Sequence, residues 1–325
     1  MTPASSQPPD AAAFTLRRRP ASEKLLDQGF HYLTLALASF VGILLLAIVL
    51  TVFQGAREAI ATFGARFITT SSWDPVNNEY GAFVAIYGTL VTSLLSLVIA
   101  VPLGIGTAIF ITEDLIPTPV RNLIGLMVEL LAAIPSVVLG LWAIFVMEPA
   151  IRPALNLLHN VFGWSPFFAG QAQGPGMAPA ILILVVMILP IITAISRDAL
   201  NQVPIELRQG AYGVGTTRWG ALMNIILPAA ISAITGGIML ALGRAMGETM
   251  AVAMLIGNSS RLSWSLFAPS GTLASLLANQ FGEAAGMQVA ALMYAALVLV
   301  ALTLAVNFAG EAVLRYTERR TAGIR

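Results

Sequence analysis

The chain has 325 residues, 57% of them hydrophobic and only 10% charged, with a formal net charge of +1 and a mean hydropathy of +0.83. Ordinary soluble domains carry roughly a quarter charged residues, so the composition excludes a soluble enzyme or binding module and predicts an all-α integral membrane protein. The absence of cysteine removes disulfides, thiolate metal sites and cysteine nucleophiles from consideration.

Residues 1–24 read as a disordered leader: Met1 to Pro20 is rich in Pro, Ala and Ser, and Arg17, Arg18, Arg19 and Lys24 precede the first apolar run. That run, Phe30 to Phe53, is much longer than the roughly 7 to 15 apolar residues of a signal peptide and is expected to stay as an anchor helix. Residues 25–320 form one membrane domain, ahead of a short tail at 321–325. A bilayer core needs about 20 apolar residues as helix. Six stretches reach that length: Phe30 to Phe53, Ala82 to Phe110, Leu123 to Met147, Met177 to Ser196, Ala229 to Gly257 and Met287 to Ala312. Pro102 in the second and Pro190 in the fourth predict bends.

Basic residues set the orientation. The leader, Arg121, the group Arg197, Arg208 and Arg218, and the tail with Arg315, Arg319, Arg320 and Arg325 share one side, against Arg57, Arg66, Arg152 and Arg261 on the other. Both termini are therefore expected in the cytoplasm. The outward segments 54–81, 148–176 and 258–286 hold Trp73, Trp164, Phe167, Phe168, Trp264 and Phe267 beside turn formers, which suits either anchoring at the membrane surface or docking of a soluble partner.

The interval 197–228 is too structured for a tether. Pro204 with Glu206 starts a helix, Leu207, Ala211 and Val214 recur at helical spacing, Gly213 and Gly215 permit a turn, and a second apolar helix runs into Pro228. Gln209, Gly210, Ala211, then Gly215, then Ile225, Leu227 and Pro228 follow the spacing Glu-Ala-Ala, three residues, Gly, nine residues, Ile, one residue, Leu-Pro. In this the chain resembles the permeases of ATP-binding-cassette importers, with Gln209 and Gly210 departing from the pattern. Trp73-Asp74-Pro75, Tyr87 to Leu90, Glu129 to Ser136 and Arg244 to Thr249 narrow the resemblance to the PstC-type subunit of phosphate-specific importers. The resemblance implies the six-span type I importer fold, a coupling loop that sits on an ATPase subunit, and four kinds of partner: a PstA-type permease, two PstB-type ATPases that bind ATP and Mg, a periplasmic phosphate-binding protein and inorganic phosphate. It implies no cofactor in this chain and no nucleic acid.

Arg244 and Glu248 stand in the fifth span between Trp219 and Ser260, a stretch with no other ionisable side chain. Charges at bilayer depth are costly and mark function by default. A guanidinium grips a tetrahedral oxyanion through two parallel charge-assisted hydrogen bonds. Glu248, one turn away on the same helix, would reclaim Arg244 once the anion leaves, or accept a hydrogen bond from a protonated phosphate oxygen. The alternative is a self-neutralised pair holding helices together. Thr249 belongs to the same run. Glu129, before Pro135, either serves transport, lining an exit path or bridging to the partner permease, or pairs with a cytoplasmic arginine at the lipid interface. Thr89, Thr92, Ser93 and Ser96 read as hydroxyls joining helices, and Gly236, Gly237, Gly243 and Gly247 as close-packing positions.

No glycine-rich phosphate loop is present, so the energising ATPase must be another chain. The two histidines, His31 and His159, fall at opposite membrane faces and support neither a metal site nor a Ser-His dyad. Competing readings are a permease for sulfate or molybdate, or a self-sufficient channel or secondary transporter, though no paired repeat is visible.

Overall fold

Apolar runs interrupted by proline and paired charges fold into helices whose ends follow those interruptions. The computed structural model describes residues 21–113 and 116–322. Residues 1–20, where most of the leader falls, and 323–325 of the tail lie outside the described residues. Among those described, six helical stretches are long and apolar enough to cross a bilayer: Leu26–Phe63, Phe83–Thr112, Ser136–Phe162, Met177–Asn201, Arg218–Gly247 and Met287–Ala312.

The chain divides into two units, Met1–Thr51 and Val52–Arg325. The described part of the first is the beginning of α1 (Ala21–Phe63), with every side chain from Leu26 to Thr51 exposed. Residues 21–24 are helical rather than disordered, because Ala21, Glu23 and Lys24 are good helix formers that prolong the apolar helix backwards. At its other end α1 runs ten residues past the expected Phe53, into the second unit. There Ala59 is buried in a cluster with Phe67, Tyr80, Leu273 and Ala291, and that burial carries the helix beyond its lipid-length core.

After α2 (Arg66–Thr69) a small hairpin pairs β1 (Trp73–Asp74) with β2 (Glu79–Tyr80). Asn78 takes the positive φ, 54°, that the tight turn requires. Asp74 Oδ2 accepts the Asn77 side-chain amide at 2.7 Å and its Oδ1 accepts the Val76 and Asn77 backbone amides. Those bonds, the Asn77 side chain foremost, hold the Asp74 carboxyl below its ordinary pKa. Burial, then the Asp74 charge, raises the Tyr80 phenol. Trp73 is not a free surface anchor: its indole donates to Gln280 Oε1 at 2.7 Å and its ring meets Phe67 and Tyr80 edge-on. Trp164 and Trp264 do remain exposed.

The centre of the second unit is a three-helix core of α3 (Phe83–Thr112), α7 (Met177–Asn201) and α10 (Leu227–Gly247). Small residues set the distances. A Cβ added at Gly104 would lie 2.7 Å from Ile192 Cγ2, and one at Gly237 2.7 Å from Ile195 Cγ2. Thr89, Thr92, Ser93 and Ser96 are buried and donate to carbonyls of their own helix. Thr89 Oγ1 also accepts the Leu273 backbone N–H at 2.9 Å, a contact between elements of the kind expected for these hydroxyls.

The expected third span, Leu123 to Met147, is not one helix. α4 (Thr118–Ala133) stops at Ile134, whose extended backbone leads into Pro135, and α5 (Ser136–Trp142) begins anew. Pro135 cannot donate to the preceding turn and disfavours helix at the residue before it. α5 then runs through a π-helical turn, Ala143–Met147, into α6 (Glu148–Phe162). Glu148 therefore does not end the span. Its carboxylate, 3% exposed, is gripped by Arg152 one turn on, with Nη2 to Oε2 2.6 Å and Nε to Oε1 3.0 Å, so the two charges travel together inside an apolar helix. His159 lies in the last turn of α6, with Nδ1 2.9 Å from the Phe168 carbonyl oxygen, and not in a loop.

The expected coupling loop folds as an elbow. α8 (Ile205–Gly213) follows Pro204, and Gly215 takes φ +79° before α9 (Arg218–Ala221), which Thr217 caps. The second short helix does not stand alone, because α9 passes through a π-helical turn, Leu222–Ile226, directly into α10. The fifth span is broken as well. α10 ends at Gly247, Glu248 is extended (φ −68°, ψ 123°), and α11 (Met250–Leu255) resumes after Thr249. α12 (Leu273–Gln280), opened by a Thr272/Ser275 capping box, and α13 (Met287–Ala322) complete the chain.

Candidate functional site

Arg244 lies in the last turn of α10, where a guanidinium among apolar helices needs a wet or charged surrounding. Its side chain, 50% exposed in this chain, stands on the wall of a groove of about 850 Å³ between α10 and α13, with Ile191 of α7 at its base. Ser232, Thr235, Gly236, Gly243 and Asn307 line the same groove. Met239, Leu240, Leu304 and Phe308 make most of its surface apolar, with these polar groups and the Glu311 carboxylate spaced along it and Arg244 at the end farther from α9.

Glu248 is only 7% exposed and approaches Arg244 at 3.5 Å, Oε2 to Nη2, well beyond the 2.7 to 2.9 Å of a tight charge-assisted bond. The pair therefore does not share one helix face as expected. Glu248 sits in the gap between α10 and α11, and Thr249 occupies the position before α11 without a side-chain capping bond. α11 is fixed from behind: a Cβ at Gly140 of α5 would lie 3.0 Å from Ala251 Cα. The carboxylate is thus placed by a packed half-helix while the guanidinium keeps its freedom toward the groove. Broken helices near the midplane recur in transport sites because the gap supplies backbone polar groups beside the solute.

Glu129 is not brought to this groove. It lies exposed on α4, 3.5 Å from Arg197 at the far end of α7, the second of the two placements considered for it. Gly237 packs closely as expected, but Gly236 and Gly247 have nothing within 4 Å and Gly243 only the Asn307 amide at 3.9 Å. Two of these glycines widen the groove rather than join helices. Asn307 escaped the sequence reading. Its Oδ1 is buried without a hydrogen-bond partner, and the signal was there: a lone amide in the otherwise apolar run from Met287 to Gly310, apart from Gln288 at its start.

At the other end, Gln209 and Gly210 are exposed on α8 while Ala211 is buried; Leu227 and Pro228 open α10 half-buried. No Cβ clash explains Gly210, which has open space around it. Arg208, read in the sequence only as one of the basic residues that set the orientation, donates Nη1 to Glu113 Oε1 and Nη2 to the Leu200 carbonyl, both at 2.7 Å.

A chain with six helices able to span a membrane, a cation-bearing groove and an elbow of short helices between spans four and five is the membrane subunit of an ATP-binding-cassette importer, a multi-pass inner-membrane permease. The chain belongs to the family described as binding-protein-dependent transport system inner membrane component, which matches residues 100–323, and within it to the PstC permeases. It is 43% identical to the phosphate transport system permease protein PstC of Mesorhizobium japonicum over 91% of this chain and 92% of that one. It is 42% identical to the PstC protein of Haemophilus influenzae over 89% and 93%. The fold is shared with a bacterial alginate importer (TM-score 0.57, 17% identity, 88% of this chain and 96% of that one). It is also shared with the inward-facing MetNI methionine transporter (TM-score 0.51, 21% identity, 73% and 94%).

Proposed function

We propose that this chain is the permease through which inorganic phosphate enters the cytoplasm, driven by ATP hydrolysed on separate PstB-type subunits, with a PstA-type permease alongside and a periplasmic phosphate-binding protein delivering the ion. The observation that carries the reading is Arg244 on the wall of the α10–α13 groove, supported by the names of the relatives. Phosphate near neutral pH bears one or two negative charges, and hydrocarbon without a counter-charge would exclude it. One mobile guanidinium supplies that charge, and Glu248 beside it competes for the same cation, so the anion is held without being trapped. Asn307 offers an amide on the same wall. ATP and Mg belong to the partner ATPase, this chain hydrolyses nothing itself, and both termini face the cytoplasm.

The test is uptake of labelled phosphate by the assembled complex in proteoliposomes loaded with ATP. The parent imports phosphate and stops when ATP is withdrawn, whereas Arg244→Ala assembles with its ATPase but imports nothing. Normal uptake by Arg244→Ala removes Arg244 from the mechanism, and a parent that prefers sulfate replaces the substrate. The natural absence of cysteine lets single cysteines at Ser71 and Thr216 report orientation, with labelling expected from outside and inside respectively.

A further inference from the structure

We propose that Arg208 is the rigid joint by which the coupling elbow moves the membrane helices, an inference that rests on reading residues 197–228 as the ATPase-contacting loop. α8 is attached through short links only, 202–204 on one side and 214–217 on the other, the latter containing Gly215 at φ +79°. Backbone connections alone would let α8 pivot when pushed. Arg208 removes that freedom. One face of its guanidinium fork holds Glu113, the residue that ends α3, and the other holds the Leu200 carbonyl in the last turn of α7. A single planar group thereby fastens three helices, a bridge that the point charge of lysine does not reproduce.

Two further observations fit a joint. The Arg208 and Glu113 side chains are 17% and 14% exposed, so their attraction is screened much less than that of a surface pair. Directly associated with these helix ends is an apolar cluster of Ala108, Ile109, Ala199, Leu200, Leu222 and Ile226, drawn from α3, α7 and the π-helical turn before α10. Meanwhile Glu206, Leu207, Gln209 and Gly210 remain exposed on α8. The helix therefore offers one surface to a partner and turns Arg208 to its own membrane core. A push on α8 displaces the ends of α3 and α7 together, and the Gly237–Ile195 contact passes the shift of α7 to α10, which carries Arg244.

The experiment uses the whole importer in proteoliposomes with its binding protein, measuring phosphate uptake and ATP hydrolysis with and without phosphate-loaded binding protein. In Arg208→Glu the ATPase subunits co-purify and basal hydrolysis persists, while uptake and the stimulation of hydrolysis both fall about tenfold or more, the scale of losing a charge-assisted bond. The exchange Arg208→Glu with Glu113→Arg restores the α8–α3 ion pair but not the bond to the Leu200 carbonyl, so it recovers part of both, and Arg208→Lys is also intermediate. Normal uptake by Arg208→Glu, loss of bound ATPase in that variant, or an exchange as inactive as the single changes each overturns the joint. A wrong substrate would show in the parent complex, whereas a wrong joint shows only in the variants.

Discussion

Gly236 and Gly237 are neighbours on α10 that face different surroundings, and alanine at each measures the difference. A methyl at Gly237 would lie 2.7 Å from Ile195 Cγ2 and 2.9 Å from Ile195 Cβ, whereas one at Gly236 meets nothing within 4 Å. Both replacements gain the same helix propensity, about 1 kcal/mol, so that term cancels between them. What remains is the overpacking at Gly237, typically about 1 to 3 kcal/mol. At about 2 °C per kcal/mol for a chain of this size, Gly237→Ala should melt roughly 2 to 6 °C below Gly236→Ala. Thermal unfolding of the detergent-solubilised protein, followed by circular dichroism or tryptophan fluorescence, reads the gap. Function should split the other way. Gly236→Leu fills the groove and lowers phosphate uptake without lowering the melting temperature. Equal melting of the two alanine variants would refute the α7–α10 approach, and full uptake by Gly236→Leu would refute the groove as the path.

Arg152→Leu should lower the melting temperature of the chain, since it leaves the buried Glu148 carboxylate unpaired. The double change Glu148→Leu with Arg152→Leu should recover most of that loss in the same melting assay. Glu248→Gln should lower the preference for phosphate over sulfate in competition uptake, because a neutral amide neither competes for Arg244 as a charge nor accepts as strongly from a protonated oxyanion. Unchanged selectivity removes the hydrogen-bonding role. For Asp74 the folded pKa is depressed from 3.8, so its contribution is present above the unfolded value and is lost as pH falls through the folded one. Hydrogen exchange at Val76 and Asn77 should therefore match that of Asp74→Ala only in strong acid and be slower than in that variant near pH 7.

The six spans were legible because each apolar run is long enough to be read without tertiary information, and the elbow because proline and glycine fall at spacings with direct backbone meaning. The third span was misplaced for a physical reason. Glu148 followed by Pro149 looks like a helix end, and only its pairing with Arg152 allows the charge to be buried. That pair is one turn apart in sequence and was readable in principle. Pro135 was noticed, yet its effect depended on α4 and α5 being separate packing units. The break at Glu248 carries no proline and depends on α11 resting against Gly140, which no local pattern reveals. Arg244 and Glu248 were found as charges in an apolar run, but their unequal burial was not. The Arg208–Glu113 contact joins residues 95 apart in the chain and only the fold brings them together.

Because Gly104 and Gly237 press on neighbouring turns of α7, at Ile192 and Ile195, that helix is held between two backbones with almost no clearance. Evolution along this surface must then proceed by matched steps. A homologue that enlarges either glycine should carry a smaller residue at the facing isoleucine, so covariation at these two pairs is a historical trace of how closely the bundle was drawn together.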